Sequence, residues 1–300
     1  MSLKLASHKI GCVGRFTAMA CPCEVIIETK NTKLANAIAH KAHTEVSRIE
    51  KKFSRYNPKS VLSHIHANPA KPVEVDAETA MMLDFADQAY HLSNGLFDIT
   101  SGILRKIWKF DCSDKVPSRK QAKALLPHIG WKKITWDKPQ ITLPQGVELD
   151  FGGFGKEYAT DRAIELISQE YDIPIMVNLG GDLRVTQNLR NKAHWDIIIE
   201  DAHQSGDIKD RHPNHQFFQL QQGAVVTSGD TKRFLLKDGV RYPHILNPRT
   251  GWSVKDAPRS VTLGSKTCLE AGLLATLAML KGRHAEAFLQ EQQVVHLVQW

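Results

Sequence analysis

Several features that would assign this protein to a class at once are missing from its sequence. No apolar run approaches the roughly 18 residues that suggest a transmembrane helix, and the 300 residues contain no internal repeat, low-complexity tract or long linker. The N-terminus lacks an apolar core of about 7–15 residues followed by a small-residue cleavage site. We therefore expect no membrane span, no secretory signal and a cytoplasmic location.

Cysteine is scarce, and the familiar catalytic motifs are missing. The odd number and scattered positions of the cysteines favour reduced thiols over a disulfide framework; they are Cys12, Cys21, Cys23, Cys112 and Cys268. HExxH, a CxxC pair and GxSxG are also missing. Their absence gives no support to a zinc peptidase, a zinc or redox cysteine pair, or a serine hydrolase.

The charge of the chain is mildly positive. The formal net charge is +7, and lysine and arginine are spread along the sequence without a dense block. This pattern gives weak support to nucleic-acid binding, so we expect no nucleic-acid partner. An anionic phosphate substrate or an acidic protein partner would account for the charge equally well.

The composition and the apolar periodicity indicate a globular α+β protein. Apolar residues make up 42% of the chain and charged residues 24%, which is ordinary for a globular domain. The apolar spacing predicts helices over 33–52, 77–92 and 268–280, and another from the glycines at 152–155 to about Glu170. Strands concentrate in the second half without βαβ alternation. We therefore expect mixed, partly antiparallel sheets with flanking helices.

One glycine-rich segment, over residues 149–161, has the features of a phosphate site. Gly152, Gly153 and Gly155 separate a predicted strand from a predicted helix, so the backbone can approach a ligand and the helix start can bind an anion. Lys156 puts a cation in the first helical turn, where the helix dipole disfavours it, so an external anion or carboxylate is expected. The spacing is neither the dinucleotide fingerprint nor the P-loop. A tight turn that serves only the fold would look the same.

Four further segments combine turn residues with polar side chains. They are 93–100 with Tyr56 upstream, 177–183, 226–233 with two cations, and 241–251 with His244 and Arg249. The first includes Asp98 and Thr100 in a run that is otherwise apolar and strand-like. Hydroxyl and cationic groups suit a phosphate or the edge of a flavin ring. Each segment alone also fits an ordinary turn or capped loop.

Taken in order, these segments resemble the FAD:protein FMN transferase (ApbE) family. The resemblance spans about residues 15–282 and rests on seven blocks in register, which are Met19-Ala-Cys, Ser54-Arg-Tyr56 with Ser60, Gly95–Thr100, Asp150–Asp161, Asn178–Asp182, Thr227–Asp230 and His244–Gly251. It implies a single ApbE-like domain over residues 1–300, with two lobes and an FAD cleft between them.

The resemblance also implies a reaction. Members of the family cleave the pyrophosphate of FAD and attach FMN through a phosphoester to a threonine or serine hydroxyl of an acceptor protein, and AMP leaves. Mg²⁺ bridges the phosphates and neutralises developing charge. FAD as substrate, Mg²⁺ as cofactor and an acceptor protein as partner are therefore expected.

Site residues follow from the same resemblance. It implies that Met19, Tyr56, Phe97 and Asp98 line the FAD pocket, that Asp150 and Lys156 contact FAD or position its phosphates, and that Leu246 contacts it through the backbone. Catalytic roles fall on His244, Lys156 and Asp230. The metal ligands are the backbone carbonyl of Gly153 and the side chain of Thr276.

Two positions depart from the family pattern. The family's second metal-binding side chain, an Asp four residues before the Thr, falls on Gly272, and Glu270 lies off that helix face. The Asp of the D-P-x-T-G turn is Asn247. We therefore predict weaker or differently placed Mg²⁺ that depends on phosphates, waters, or a carboxylate such as Asp230 or Asp182.

Two other functions stay open at this stage. A catalytically impaired flavin-binding protein, acting as a carrier, sensor or assembly factor, would retain the same blocks and is favoured by Gly272. A basic interaction module is supported only by the net charge.

Overall fold

A computed structural model describes residues 2–202, 216–231 and 233–300. Strands in this part of the chain follow the order β1 (Lys4–Ser7), β2 (Cys12–Ala18), β3 (Cys21–Ile27), β4 (Val73–Glu74), β5 (Thr135–Asp137), β6 (Gln140–Thr142), β7 (Ile175–Leu179), β8 (Asp182–Val185), β9 (Trp195–Ile198), β10 (Phe217–Leu220), β11 (Gly223–Gly229), β12 (Phe234–Lys237), β13 (Val240–Pro243), β14 (Leu246–Asn247), β15 (Trp252–Ser253), β16 (Ser260–Ser265) and β17 (Val295–Gln299).

The helices of the described residues include two long ones that begin at the predicted positions. The α-helices are α1 (Thr32–Phe53), α2 (Val61–His66), α3 (Ala77–Leu92), α4 (Arg119–Leu125), α5 (Gly155–Ser168), α6 (Cys268–Leu280) and α7 (Ala285–Glu291), and the 3₁₀ helices are Ile99–Lys106, Leu126–His128, Trp131–Lys133 and Gly282–His284. Both α3 and α6 begin after a side-chain cap, because Asp76 accepts from the Thr79 N–H and Thr267 from the Glu270 N–H.

An eight-stranded sheet forms the centre of the fold. Its strand order is β1-β2-β3-β7-β8-β11-β16-β17, and each neighbouring pair is antiparallel. Such a sheet with helices packed on it confirms the predicted α+β class. A second group of strands includes the three-stranded sheet β4-β6-β5 and the hairpins β9–β10, β12–β13 and β14–β15.

The hydrophobic core lies mainly between the sheet and its helices. Buried residues of β2, β3, α1 and α5 form the largest cluster, and β11, β16, α6 and α7 form a second. A third covers the opposite face of the sheet, where β9 and β10 pack. A fourth, around Trp108 and Leu235, lies under the β12–β13 hairpin. Among the described residues, no helix has both the length and the apolar character that crossing a membrane requires.

The structure corrects one local prediction. The run around Asp98 and Thr100, predicted as strand-like, is a 3₁₀ helix that begins at Ile99. Asp98 caps it by accepting from the Thr100 N–H at 2.9 Å, and this local bond competes with strand pairing. The β1–β2 pairing at the N-terminus and the β12–β13 hairpin were not predicted.

Candidate functional site

One wide cleft collects residues from all seven sequence blocks. Its volume is about 2100 Å³, above the roughly 300–1,000 Å³ of a pocket for a drug-sized ligand. The predicted site residues that line it are Met19, Tyr56, Phe97, Asp98, Asp150, Gly153, Lys156, His244, Leu246 and Thr276. Asp230 is the one predicted site residue that does not line it.

The glycine turn before α5 forms one wall of the cleft. Asp150 Oδ1 accepts from the Gly152 N–H at 2.8 Å, and the other carboxylate oxygen forms an ion pair with Arg55. Gly153 lies over the Phe97 ring, because a Cβ there would be 3.4 Å from Phe97 Cζ. Helix α5 then begins without a side-chain cap. Such a helix start can offer backbone N–H groups to an anion.

Lys156 has an internal partner in the cleft. Its Nζ lies 2.7 Å from Oδ2 of the buried Asp182, at the start of β8. Burial lowers the pKa of Lys156, but the carboxylates of Asp182 and Glu157 outweigh it and raise the pKa. Lys156 is therefore a cation on the cleft wall, and Asp182 is the carboxylate that its position in the first helical turn led us to expect.

Glu157, the next residue, was not singled out in the sequence, although it lines the same cleft. Its side chain is buried, with 8% of the residue exposed, and Oε2 has no hydrogen-bond partner. Burial raises the pKa of Glu157, and the neighbouring Asp182 charge raises it further. A Cβ at Gly272 would lie 2.7 Å from Glu157 Cγ and 2.9 Å from Oε1. The carboxyl group of Glu157 thus occupies the space beside the bare glycine.

Helices α5 and α6 face each other with a regular register. Asp161 accepts from the N–H groups of Cys268 at 2.9 Å and Leu269 at 3.0 Å, at the start of α6. Glu157, one turn before Asp161 on α5, faces Gly272, which lies one turn after Cys268 on α6. The two helices are therefore antiparallel. Thr276, four residues after Gly272 on α6, and Gly153, in the turn before α5, both line the cleft.

His244 presents a neutral imidazole to the cleft. Burial, aided by the nearby Arg233 charge, lowers the pKa of His244 to about 4. Its Nδ1 is buried without a hydrogen-bond partner. A neutral imidazole with an unpartnered nitrogen can accept a proton or contact a phosphate.

Two residues at the rim have the properties that a flavin contact needs. Tyr56 is 76% exposed, so its ring face is available for stacking, and the Arg55 guanidinium lies 5.0 Å from the ring centroid. Met19 and Ala20 form the two-residue turn between β2 and β3, with positive φ at both positions. The Met19 N–H donates to Glu50 Oε1 at 2.6 Å, which fixes the turn at the cleft.

Asp98 uses its carboxylate inside the protein. Oδ1 accepts from the N–H and hydroxyl of Thr100, and Oδ2 accepts from the Trp131 N–H at 3.0 Å. These bonds join the start of the 3₁₀ helix to a second short helix, Trp131–Lys133.

Asp230 is also engaged within the protein. It is 2% exposed, with Arg241 Nε 2.7 Å from Oδ2 and Arg259 Nε 3.0 Å from Oδ1. The arrangement of its partners supports an anchoring function and gives no support to direct contact with a ligand.

Comparisons with known proteins agree with the geometry. Residues 19–298 match the ApbE family. The FAD:protein FMN transferase of Vibrio cholerae serotype O1 is 27% identical over 249 residues, covering 80% of this chain and 73% of that protein. The FAD:protein FMN transferase of Haemophilus influenzae is 28% identical over 255 residues, covering 80% and 72%.

Solved structures give the same fold. The crystal structure of the ApbE protein from Thermotoga maritima superposes with a TM-score of 0.81 at 29% identity, covering 99% of this chain and 94% of that one. The apo form of the Pseudomonas stutzeri flavinyl transferase ApbE also gives a TM-score of 0.81, at 21% identity, covering 99% and 91%. At that lower identity the likeness supports the fold alone.

Proposed function

The chain belongs to the ApbE family, and from this we propose that it is a transferase that takes FAD as substrate and passes FMN to an acceptor protein. The observation that carries the proposal is the cleft itself, because blocks far apart in sequence meet on its walls. We further propose that the chain forms one domain of two lobes, with FAD held between them.

The reaction we propose is a phosphoryl-type transfer onto a threonine or serine hydroxyl. The acceptor oxygen attacks the phosphorus of the FMN half of FAD, a P–O bond forms, and the bond from that phosphorus to the oxygen of the AMP half breaks. AMP leaves with the electron pair, and FMN remains joined to the acceptor as a phosphoester. The hydroxyl proton must pass to a base in the cleft.

His244 is the base we propose for that proton. Its imidazole is neutral at physiological pH, because burial holds the pKa of this group near 4. Its Nδ1 has no hydrogen-bond partner within the protein. Lys156 supplies positive charge to the pyrophosphate, and Asp150 holds the glycine turn whose N–H groups can contact phosphate oxygens.

For FAD recognition we propose Met19, Tyr56 and Phe97 on the flavin side and the Leu246 backbone opposite. Asp98 and Asp230 are proposed as positioning residues, since their carboxylates are bonded within the protein.

The oxygen donors of the cleft fit a hard dication such as Mg²⁺. Thr276 offers a hydroxyl, Gly153 a backbone carbonyl, and the cleft contains a buried carboxylate oxygen without a partner. Among the described residues no group of three His, Cys, Asp or Glu side chains could hold a metal, so several ligands would be neutral oxygens, phosphates or waters. When bound, Mg²⁺ would neutralise the charge that develops on the phosphates.

The decisive experiment is a transfer assay. The protein is incubated with FAD, Mg²⁺ and an acceptor domain that carries the target threonine, and the products are followed by in-gel flavin fluorescence and AMP release. We expect both products, and we expect His244→Asn to lower the transfer rate at least about 100-fold with FAD affinity nearly unchanged. His64→Asn, at an exposed position on α2, serves as the matched control.

A flavin-binding protein without transfer activity is the second candidate, because position 272 carries no carboxylate. Flavin bound without labelled acceptor or AMP would support that candidate. Absence of flavin binding would refute both, and full activity of His244→Asn would refute the assignment of the base.

A further inference from the structure

A buried carboxylate oxygen without a hydrogen-bond partner is energetically costly and therefore rare in proteins. Glu157 Oε2 is such an atom, on a residue that is 8% exposed and lines the cleft. Buried carboxylates in proteins are normally paired, hydrogen-bonded or bound to a metal. Lys156 does not fill this role, because its Nζ contacts Asp182. Oε2 therefore points to a partner that enters with the ligand.

The register of α5 against α6 places this carboxylate beside other hard oxygen donors. Glu157 lies one helical turn before Asp161, which caps α6, and four residues after Gly153, which lies in the turn that precedes α5 and lines the cleft. Across the interface, Gly272 lies one turn before Thr276. Residues four apart share a helix face, so Gly272 and Thr276 lie on one face of α6, and Glu157, Gly153 and Thr276 all line the same cleft.

Gly272 is the reason that Glu157 can occupy this position. A Cβ at residue 272 would meet Glu157 Cγ at 2.7 Å, Oε1 at 2.9 Å and Cδ at 3.2 Å. Distances below 3.0 Å are incompatible with both side chains in their places. The carboxyl of Glu157 thus occupies the volume into which a side chain at 272 would project, so a side chain at 272 would require Glu157 to move.

We propose that Glu157 is the carboxylate ligand of a divalent cation in the cleft, delivered from α5 to the place that an acidic side chain at position 272 would serve from α6. This inference rests on the proposed transferase function. Thr276 and the Gly153 carbonyl complete the protein ligands, and the remaining positions fall to FAD phosphates and water. A Glu near the start of α5 is also favoured by the helix dipole.

The other carboxylates near the cleft are committed elsewhere. Asp182 has its Oδ2 2.7 Å from Lys156 Nζ, and Asp230 lies between Arg241 and Arg259. Recruiting either for a metal would break an existing buried ion pair, which is costly. Glu157 can bind a cation without breaking such a pair.

The test measures metal binding directly. Mn²⁺ is titrated into the full-length protein with FAD and without acceptor, and free Mn²⁺ is followed by electron paramagnetic resonance. We expect Glu157→Gln and Glu157→Ala to weaken Mn²⁺ binding at least about tenfold. The double variant E157A/G272D returns a carboxylate from α6 and is expected to recover affinity to within about threefold of wild type. Glu165→Gln, on the exposed face of α5, is the matched control and should bind Mn²⁺ normally.

A second measurement separates ligation from folding. In metal-free buffer, Glu157→Gln is expected to unfold at higher urea concentration than wild type, because it removes a buried acid without a partner. FAD affinity is measured for each variant by flavin fluorescence. A variant that is more stable and binds Mn²⁺ more weakly would support a ligand; a purely structural Glu157 would lose stability when replaced.

Three results would overturn the inference or separate it from the proposed function. Wild-type Mn²⁺ affinity in Glu157→Gln would refute it and leave the transferase function standing. No recovery in E157A/G272D, with normal FAD affinity, would refute the claim that positions 157 and 272 serve one site. Mn²⁺ binding that depends on Glu157, without flavinylated acceptor or AMP in the transfer assay, would support the ligand and refute the function.

Discussion

At the scale of single residues, the cleft is organised by charges that neutralise one another before any ligand arrives. Lys156 pairs with Asp182, Asp150 pairs with Arg55, and His244 stays neutral because it is buried. Charged groups held in this way are already oriented for a transition state and need little reorganisation. Glu157 differs from these groups, because burial raises its pKa to about 8 and its Oε2 has no hydrogen-bond partner.

Replacing Lys156 with Met should weaken FAD binding by about tenfold or more, because a cation near the pyrophosphate is lost. The single variant also leaves Asp182 buried without its partner, which is destabilising. The double variant K156M/D182N removes both charges, and it should keep weak FAD binding while recovering stability. Fluorescence titration and urea unfolding measure the two effects. Lys33→Met, at an exposed position on α1, is the control, and unchanged FAD affinity in both Lys156 variants would contradict the role of Lys156.

The pH profile should identify the protonation state of His244. Because burial holds the pKa of His244 near 4, its neutral form dominates at every pH above about 5. Transfer rates should therefore not fall between pH 8 and pH 6 through protonation of this residue. Initial rates of AMP release across that range test the expectation. A drop centred near pH 6.5 that disappears in His244→Asn would show an imidazole with an ordinary pKa.

At the scale of secondary-structure elements, the sequence predicted best where local chemistry agreed with the fold. Helix α3 was predicted over 77–92 from its Asp76 cap, and α6 over 268–280; both match the structure. The 3₁₀ helix at Ile99–Lys106 was missed because the apolar run resembled a strand, whereas a side-chain bond from Asp98 decides the backbone. The short hairpin β12–β13 depends on packing under Leu235, which no local pattern reveals.

The turn between β2 and β3 carries strain that can be measured. Met19 and Ala20 both have positive φ, at 51° and 58°, as a two-residue hairpin turn of type I′ requires. A side chain in this conformation costs about 1 kcal/mol, and glycine avoids the cost. Ala20→Gly is therefore expected to raise the free energy of unfolding by about 1 kcal/mol. Urea unfolding measures the change.

The matched control for this turn is Ala37→Gly, on the exposed face of α1. There the same substitution should lower stability by about 1 kcal/mol, because glycine is a poor helix former. The two variants should thus shift the urea midpoint in opposite directions. A destabilised Ala20→Gly would show that the turn conformation is not the controlling factor.

A charge network ties α1, α3 and α5 together and should make stability depend on pH. Glu78 Oε2 lies 2.6 Å from Lys52 Nζ, and its carboxylate also accepts from Arg48 and the Tyr158 hydroxyl. The Arg48 guanidinium, aided by Lys52 and Tyr158, lowers the pKa of Glu78 to about 2. Because the folded-state pKa lies below the unfolded value near 4.3, this carboxylate stabilises the fold above about pH 4.5, and the effect is lost as pH falls towards 2.

We expect Glu78→Gln to flatten the loss of stability between about pH 5 and pH 2 relative to wild type. Urea unfolding at several pH values in that range measures the slope. Glu74→Gln, at an exposed position on β4, should leave the slope unchanged. Parallel curves for wild type and Glu78→Gln would contradict the network.

At the scale of the whole molecule, the central sheet brings together residues that are far apart in the sequence. It brings the start of β3 and the ends of β7 and β11 to the same cleft as the start of α5 and the later turns of α6. The sequence blocks predicted which residues line the cleft, because their order and residue types can be read from the sequence alone. Which carboxylates would be paired, and which would be left open, required the packing of α5 on α6.

Asp230 and Glu157 are two residues whose surroundings could not be predicted from the sequence. Asp230 was predicted as catalytic from its block, and two arginines from other parts of the chain hold its carboxylate. Glu157 was passed over because its neighbour Gly272 is 115 positions further along the chain. Contacts across such separations depend on the register of two helices, which composition and periodicity do not specify.

The register of α5 against α6 affects how related sequences should be compared. Positions that meet across a helix pair can exchange a functional group between them while the group stays at one point in space. An alignment read column by column would record such an exchange as two separate events, a loss in one column and an unrelated gain in another. If positions 157 and 272 are instead scored together, the comparison shows whether either position carries an acidic residue. It would then distinguish a site whose acid has moved to the other helix from a site that has lost it.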